Sequence, residues 1–253
     1  MEKKESFKIL VLGHGGMLGN VVFKYLARYT RHHVTTVNHR YPSQNFKDEI
    51  LKSNPDYIIN CIGAIPQKSP ENYDINYDLP LWLIENCRKA KVIHPGTDCE
   101  IDVSDYGKSK KIMTDYVVNN HTNTKIIKTS IVGPERNTCD SLFSWVMSKR
   151  DDEKIKGYTA HFWSGITSLQ WAKIALNMIE DWNKFNAMTI PDSKCISKYD
   201  LLKLIIKVFE KNNVVEKCDK LKVNKCLAGK LKVPDIEQQM IQLKIFIEET
   251  KKG

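Results

Sequence analysis

A short apolar run that passes directly into a glycine-rich turn constrains the fold of this chain more than any other feature. Phe7–Leu12 predicts a buried strand, and the next residues are Gly13-His-Gly-Gly16-Met-Leu-Gly19. Apolar residues at helical spacing follow, which are Leu18, Val21, Val22, Tyr25 and Leu26. Glycines at a strand-to-helix turn leave the first helical N–H groups free for a phosphate. The spacing fits G-x-x-G-x-x-G, because Leu18 stands where G-x-G-x-x-G needs its third glycine, and a plain glycine-rich turn is the alternative interpretation.

Strand and helix patterns alternate along the first half of the chain. The predicted strands are Phe7–Leu12, Val34–Val37, Asp56–Cys61, Lys91–His94 and Lys125–Thr129. The predicted helices lie near Leu18–Tyr29, Lys47–Leu51, Leu79–Lys89 and Tyr106–Asn119. Such alternation is typical of an α/β fold with a doubly wound parallel sheet, or Rossmann fold. We expect residues 1–135 to form the nucleotide-binding domain, residues 166–190 to return to it, and residues 136–253 to form mainly a smaller substrate-binding lobe.

Five segments follow the predicted strands and are expected to share one crevice, since ligands of such sheets bind at the carboxyl ends of the strands. These segments are Gly13–Gly19, Asn38–Arg40, Cys61–Ala64, Thr97 and Thr129–Ser130. After the second strand an NAD site usually offers a carboxylate to the ribose, whereas this chain offers Asn38-His39-Arg40. Arg40 could accommodate the 2′-phosphate of NADPH, although a surface arginine would look the same. The sequence therefore predicts NADPH as the cofactor.

Tyr106 and Lys110 stand four residues apart on one predicted helix, and Thr97 precedes them at the end of a strand. A tyrosine can donate a proton to a carbonyl oxygen, and a neighbouring ammonium should lower the tyrosine pKa from about 10 toward neutrality. The spacing alone is weak, because Tyr199 and Lys203 repeat it. That second pair lies in an ordinary amphipathic helix, capped by Ser197, whose apolar positions are Leu201, Leu202, Ile205, Ile206 and Phe209.

Composition excludes several classes of protein. The net charge of +9 suits anionic ligands, but the lysines are spread along the chain without interleaved aromatic residues, which argues against nucleic-acid binding. The 7 cysteines form no C-x-x-C pair, and their odd number predicts reduced, mostly buried thiols. No metal-ligand spacing occurs, and no segment predicts a signal peptide or a membrane span. We therefore expect a cytoplasmic protein that needs no metal.

Together these motifs resemble the extended short-chain dehydrogenase/reductases, and within them the dTDP-4-dehydrorhamnose reductase group with its relatives that act on UDP-linked 4-keto-6-deoxy acetamido sugars. The likeness covers nearly the whole chain. It rests on Gly13–Gly19, Asn60-Cys-Ile-Gly-Ala64, Val92-Ile-His, Thr97-Asp-Cys99, Tyr106-Gly-Lys-Ser-Lys110, Thr129-Ser-Ile-Val-Gly-Pro-Glu135, Phe162-Trp-Ser-Gly-Ile-Thr167 and Ile196–Leu202.

The resemblance implies hydride transfer from NADPH to the C4 ketone of a UDP- or dTDP-linked deoxysugar. It implies the catalytic residues Thr97, Tyr106 and Lys110, with Asn76 as a relay member. The implied cofactor-binding residues are Gly13, Gly16, Met17, Leu18, Gly19, Asn38, His39, Arg40, Cys61, Ile62, Gly63, Ala64 and Lys110. The candidate substrate-binding residues are Ser130, Arg136, Trp163, Thr167 and Lys225. A nucleotide sugar is the expected partner, and a homodimer is a candidate assembly.

The chain departs from the family pattern beside the predicted catalytic residues. From Thr97 to Tyr106 is 106 − 97 = 9 positions, where relatives usually have a longer loop, and the segment from Pro42 to Lys47 is also short. Cys99 stands where related dehydratases carry an acid, and Glu100, one residue along an extended strand, would point the other way. This argues against dehydration. A non-catalytic NADP-binding regulatory subunit and an epimerase of the same fold remain alternatives.

Overall fold

The computed structural model describes residues 5–69, 72–120 and 123–251 of the chain. Its strands are β1 Lys8–Leu12, β2 His33–Thr36, β3 Tyr57–Asn60, β4 Lys91–Gly96, β5 Thr124–Lys128, β6 Ile131–Val132, β7 Ile155–Tyr158, β8 His161–Trp163, β9 Ile166–Thr167, β10 Met188–Thr189, β11 Pro191–Asp192, β12 Ile196–Ser197, β13 Val215–Cys218, β14 Val223–Lys225 and β15 Leu231–Lys232. Its helices are α1 Met17–Tyr29, α2 Gln44–Ser53, α3 Ile75–Asn86, α4 Asp105–Asn120, α5 Leu142–Ser148, α6 Ser168–Glu180, α7 Lys198–Val208 and α8 Ile236–Lys251, with short 3₁₀ turns at Asp98–Ile101 and Trp182–Lys184.

The chain divides into two compact units. Unit 1 comprises residues 1–128 and 172–189, and unit 2 comprises residues 129–171 and 190–253. Unit 1 contains a six-stranded sheet in the order β10-β5-β4-β3-β1-β2, and every neighbouring pair of strands is parallel. This is the doubly wound Rossmann-type sheet that the alternating pattern predicts. The predicted strands and helices of this unit are therefore confirmed, within a few residues at their ends.

The strand order of unit 1 reverses at β1. The chain runs from β1 to β2 on one side and then crosses to β3 on the other side, so that Leu12 and Asn60 are register partners. Cys61 extends the pairing, because its N–H donates to the Leu12 carbonyl at 3.0 Å. The residues that follow β1 and β3 thus meet at a topological switch point, where open α/β sheets bind their ligands.

Apolar side chains of β1, β3 and β4 form one core cluster of unit 1 with those of α2 and α3. Leu10 and Leu12 pack there with Phe46, Ile50 and Leu83. Helix α2 is longer than predicted because Ser43 caps it, accepting a hydrogen bond from the N–H of Phe46 at 3.3 Å. In the part of the chain that the structure describes, no helix is both long enough and apolar enough to cross a membrane.

Unit 2 is built from small sheets and the helices α5, α7 and α8. Its three-stranded sheet has the order β12-β8-β14, so that β8 lies between the other two strands. Cys195, next to β12, and Cys226, next to β14, form a disulfide with their Cα atoms 5.7 Å apart. The prediction that all the cysteines are reduced is therefore wrong for this pair. The sequence hides the pairing because the two residues are 31 positions apart and meet only through the sheet.

Candidate active site

The glycine turn between β1 and α1 has the backbone that the G-x-x-G-x-x-G spacing requires. Gly13 has φ +79°, a conformation that side chains disfavour, and its carbonyl accepts a hydrogen bond from Gly16 N–H at 2.9 Å. A Cβ on Gly19 would lie 2.1 Å from the Gly13 carbonyl oxygen, so this helical position has no room for a side chain. Gly16 precedes α1 without a side-chain cap, and Met17 begins the helix. The helix N-terminus therefore presents N–H groups to the crevice, as a pyrophosphate requires.

The residues after β2 lie at the protein surface. Asn38, His39 and Arg40 are all exposed. His39 is engaged, since its Nδ1 lies 2.8 Å from Oε2 of Glu49 on α2. Arg40 thus stands at the surface after β2, where an arginine can meet a 2′-phosphate.

Asn76 holds the turn after β3 in place. It is fully buried at the start of α3; its Oδ1 accepts from Ala64 N–H at 2.8 Å, and its Nδ2 donates to the Ala64 carbonyl at 3.1 Å. The same Nδ2 also reaches Ser109 Oγ on α4 at 3.1 Å. A Cβ on Gly63 would lie 2.9 Å from Asn76 Oδ1. The Asn76 amide, which the resemblance assigns to a relay, therefore ties the Gly63–Ala64 turn to the helix that carries Tyr106.

Thr97 caps a 3₁₀ turn rather than extending β4. Its Oγ1 accepts from Cys99 N–H at 3.2 Å, while Glu100 Oε1 accepts from Thr97 N–H at 3.1 Å, which is a capping box. Glu100 is buried, and it also accepts a hydrogen bond from Thr114 at 3.0 Å and pairs with Lys128 at 2.8 Å. The prediction of an extended segment here is wrong. The turn instead folds Glu100 inward, where its carboxylate supports Thr97.

Tyr106 lies in the first turn of α4, and its phenol lies close enough to Thr97 for that side chain to influence its pKa. Its ring lies 5.7 Å from that of Tyr73, centroid to centroid. Burial raises the pKa of the Tyr106 phenol well above 10, and Cys99, Asp98 and Glu100 raise it further, while the Thr97 side chain opposes the shift. The expectation that its pKa is lowered toward neutrality is therefore wrong for this site without ligands, and the phenol keeps its proton at neutral pH.

Lys110 is 6% exposed, one helical turn after Tyr106. Burial lowers the pKa of its ammonium to about 8, against the opposing effects of Glu100 and Cys61. Its Nζ lies 3.4 Å from Nε2 of His94 on β4, and His94 Nδ1 lies 3.1 Å from Nδ2 of Asn60 at the end of β3. Sequence reasoning assigned no role to Asn60 or His94. The available signal was a single histidine in the otherwise apolar run Val92-Ile-His.

Two of the candidate substrate residues of unit 2 are buried by packing. Thr167 is fully buried, and its Oγ1 accepts from Gln170 N–H at 3.1 Å in the first turn of α6. Trp163 is 2% exposed, and a Cβ on Gly165 would lie 2.1 Å from its ring. Arg136 is exposed, and Ser130 and Lys225 are partly exposed. These three are the candidates that a ligand of unit 2 can reach.

The repeated spacing in α7 has a structural explanation. Lys203 Nζ lies 5.4 Å above the Tyr199 ring, and Ser197 Oγ caps the helix by accepting from Asp200 N–H at 3.0 Å. Four positions of the predicted apolar face, Leu201, Leu202, Ile205 and Ile206, are buried, whereas Phe209 follows the helix and is half-buried. Across residues 5–69, 72–120 and 123–251, no three His, Cys, Asp or Glu side chains are grouped as metal ligands would be.

Comparisons with known proteins agree with this geometry. Residues 9–125 match the model of the NAD dependent epimerase/dehydratase family. No curated protein matches the chain in sequence. A dTDP-4-dehydrorhamnose reductase from Bacillus anthracis, solved in complex with NADP, is 13% identical with a TM-score of 0.72, and the match covers 95% of this chain and 99% of that one.

Two further solved structures show the breadth of the fold. A hypothetical dTDP-4-dehydrorhamnose reductase from Sulfolobus tokodaii is 18% identical with a TM-score of 0.69, covering 91% of this chain and 98% of that one. A UDP-N-acetylglucosamine 4-epimerase from Methanobrevibacter ruminantium, in complex with UDP-N-acetylmuramic acid, is 16% identical with a TM-score of 0.69, covering 97% and 99%. Residues 9–125 of this chain are therefore similar to the NAD dependent epimerase/dehydratase family, and the chain has the fold of the dTDP-4-dehydrorhamnose reductases.

Proposed function

We propose that this chain reduces the C4 ketone of a UDP- or dTDP-linked 4-keto-6-deoxy sugar, of the rhamnose or acetamido-deoxysugar type, with NADPH as the hydride donor. One observation carries the proposal. The Thr97 side chain lies close enough to the Tyr106 phenol to lower its pKa, and Lys110 lies one turn further along the same helix. A hydroxyl pair with a nearby amine is what a carbonyl oxygen needs when it gains negative charge and then a proton.

The glycine turn fits a dinucleotide. Gly13, with positive φ, and Gly19, with no space for a Cβ, shape a turn at which the uncapped N-terminus of α1 can receive a pyrophosphate. Gly63 and Ala64 would border the cofactor on the β3 side, and Arg40 would contact the 2′-phosphate that distinguishes NADPH from NADH. When bound, NADPH would supply the hydride.

The residues of unit 1 have separate tasks in this proposal. The Thr97 hydroxyl would donate a hydrogen bond to the substrate oxygen, and the Tyr106 phenol would give it a proton. Burial keeps that phenol protonated at neutral pH, so the proton is present when it is needed. A charged Lys110 would lower the pKa of Tyr106 as the oxygen takes the proton, and its ammonium would hold the ribose hydroxyls. Asn76 would keep the Gly63–Ala64 turn in register with α4.

Unit 2 would supply the contacts to the nucleotide sugar in this proposal. Arg136 and Lys225 offer positive charge for a diphosphate, and Ser130 offers a hydroxyl. Trp163 and Thr167 would act through the packing of their own unit. A cytoplasmic location and a homodimeric assembly complete the proposed picture.

A non-catalytic NADP-binding subunit is the second candidate function. The observation that favours it is the short segment of 9 positions from Thr97 to Tyr106. Val103 in this segment is 88% exposed, and the longer loop that relatives have beside the tyrosine is missing. A site less enclosed against water would weaken every electrostatic contact on which proton transfer depends.

The test is a panel of UDP- and dTDP-linked 4-keto-6-deoxy sugars, incubated with the protein and NADPH while the nicotinamide absorbance is followed. The reductase proposal predicts stoichiometric loss of NADPH with at least one sugar and none after Tyr106→Phe. Binding of NADPH without oxidation by any sugar would favour the non-catalytic subunit. Conversion of a sugar nucleotide without net loss of NADPH would favour an epimerase.

A further inference from the structure

Three buried polar side chains form a hydrogen-bonded chain that ends one helical turn from the proposed catalytic tyrosine. They are Asn60, His94 and Lys110, called here the buried polar triplet, and they are 0%, 1% and 6% exposed. The two links of the triplet are Asn60 Nδ2 to His94 Nδ1 at 3.1 Å and His94 Nε2 to Lys110 Nζ at 3.4 Å. Burial of three polar groups is costly unless each donor finds an acceptor. The direction of these hydrogen bonds is therefore constrained.

The direction is set at one end by the backbone. Ile62 N–H donates to Asn60 Oδ1 at 3.0 Å, so the oxygen of this amide is the atom that faces the backbone donor. The Asn60 NH₂ group must then face His94, and an NH₂ group can only donate. His94 Nδ1 accepts that hydrogen bond, which places the single proton of a neutral imidazole on Nε2.

The proton on Nε2 has a consequence for Lys110. An Nε2–H group needs an acceptor, and only the uncharged amine of a lysine has a lone pair to offer. If Lys110 were an ammonium, it would present a donor to Nε2–H, or force the proton onto Nδ1 against the Asn60 NH₂ group. Every hydrogen bond of the triplet is satisfied in one state alone, in which Lys110 is the free amine.

We propose that His94 is a positioning residue for Lys110: its Nε2–H group stabilises the free amine of this lysine until a ligand brings acceptors or negative charge to it. The second half of this statement rests on the proposed function, since the ligand would be the dinucleotide. On binding, Lys110 would take up one proton, turn its ammonium to the ribose hydroxyls, and only then lower the pKa of Tyr106. Proton uptake would thus couple cofactor binding to activation of the proton donor.

The other ionisable groups that face Lys110 are consistent with this state. Cys61 at the end of β3 is held as a thiol, because burial raises its pKa. Glu100, in the turn after β4, favours the ammonium, but its carboxylate is already paired with Lys128 at 2.8 Å and accepts from Thr97 N–H and Thr114. Burial lowers the pKa of Lys110 to about 8, so the free amine is the minor form at neutral pH and the main form above pH 8. Burial also holds the pKa of His94 well below its usual value, with Lys110 as the second cause.

A single-atom substitution tests the direction of the triplet. Asn60→Asp replaces the NH₂ group with an oxygen that accepts, so His94 would carry its proton on Nδ1 and offer the Nε2 lone pair to an ammonium. We expect the pKa of Lys110, followed by NMR of the methylated or isotope-labelled lysines, to rise by ~1 unit or more. Asn86→Asp on the exposed end of α3 adds the same charge elsewhere and should leave Lys110 unchanged. Lys125, whose pKa burial also lowers, is the internal reference.

A second measurement needs no variant. The ¹⁵N shifts of the His94 ring in the wild-type protein report directly which nitrogen carries the proton. Protonation of Nε2 in the ligand-free protein supports the proposal. Protonation of Nδ1, a charged imidazolium, or an unchanged Lys110 in Asn60→Asp each overturns it.

The coupling to the ligand is tested with NADPH itself. Calorimetric titration at a pH just above 8, in buffers of different ionisation enthalpy, should show proton uptake on binding in the wild type and a smaller uptake in Asn60→Asp, where Lys110 is already charged. Binding without uptake overturns the coupling but leaves the proposed cofactor standing. Absence of NADPH binding overturns the proposed function, while the ring-nitrogen measurement still decides the role of His94.

Discussion

Substitution of Gly19 by alanine is the sharpest test of the glycine turn, because the turn offers a matched control. A Cβ at Gly19 would lie 2.1 Å from the Gly13 carbonyl oxygen and 2.6 Å from its carbonyl carbon. Ordinary van der Waals contact begins at 3.4 Å, so the backbone must open by 3.4 − 2.1 = 1.3 Å. A Cβ on Gly15, in the same turn, would meet nothing within 4 Å, so Gly15→Ala is the matched control.

The expected cost of Gly19→Ala follows from two opposing effects. Overpacking of this kind costs about 1–3 kcal/mol, and alanine regains about 1 kcal/mol of helix propensity relative to glycine. We therefore expect a loss of up to about 2 kcal/mol in the free energy of unfolding, and a change within about 0.5 kcal/mol for Gly15→Ala. Displacement of the N–H groups of the turn by about 1 Å should weaken NADPH binding at least tenfold in Gly19→Ala.

Urea unfolding followed by circular dichroism measures the first effect, and fluorescence titration with NADPH measures the second. Equal NADPH affinity in Gly19→Ala and the wild type would refute the assignment of this turn to the cofactor. Loss of NADPH binding in Gly15→Ala alone would also contradict the assignment, because it would place the close approach of the cofactor at Gly15, as in a G-x-G-x-x-G turn.

Three further predictions concern buried side chains close to the proposed active site. Glu100→Gln removes the charge that pairs with Lys128 at 2.8 Å. We expect the free energy of unfolding, measured with urea, to fall by about 2 kcal/mol, which is less than for a fully buried pair because Lys128 is partly exposed. Asn76→Ala removes the partner of the Ala64 N–H and carbonyl and one donor to the Ser109 hydroxyl, and should cost about 2–3 kcal/mol, with weaker NADPH binding. Unchanged affinity would argue against the tie between the turn and α4. The pKa of Lys110 is about 8 in the folded protein against 10.5 in the unfolded chain, so the unfolded state binds more protons between these two pH values. The wild type should therefore gain stability relative to Lys110→Met as the pH rises from 8 to 10.5, by at most about 3 kcal/mol. A loss of stability over that window would contradict the burial of a free amine.

The parallel sheet and the glycine turn are predictable from the sequence because their signals are local. The central strands β1, β3 and β4 are short, largely apolar runs, and the turn at Gly13 needs glycine because of its positive φ. The cap of α7 at Ser197 is local in the same sense. These features rest on neighbouring residues, and the structure confirms them.

Features that depend on distant partners escape the sequence. His94 lies 34 positions from Asn60 and 16 from Lys110, and only the pairing of β3 with β4 and the packing of α4 bring them together. Burial also reverses the expected shift in the pKa of Tyr106, because the desolvation of a side chain cannot be read from spacing. The Cys195–Cys226 disulfide is a third example, formed across a sheet whose strand order the sequence does not predict.

The central claim is hydride transfer to a sugar C4 with Tyr106 as the proton donor. NADPH deuterated at the transferable position of the nicotinamide ring, incubated with the protein and a 4-keto-6-deoxy sugar nucleotide, tests it most directly by mass spectrometry and NMR of the product. The account predicts one deuterium at C4 of the sugar in the wild type and no labelled product with Tyr106→Phe. Labelled product formed at a comparable rate by Tyr106→Phe, or no label at C4 with any sugar nucleotide that the protein binds, would contradict it.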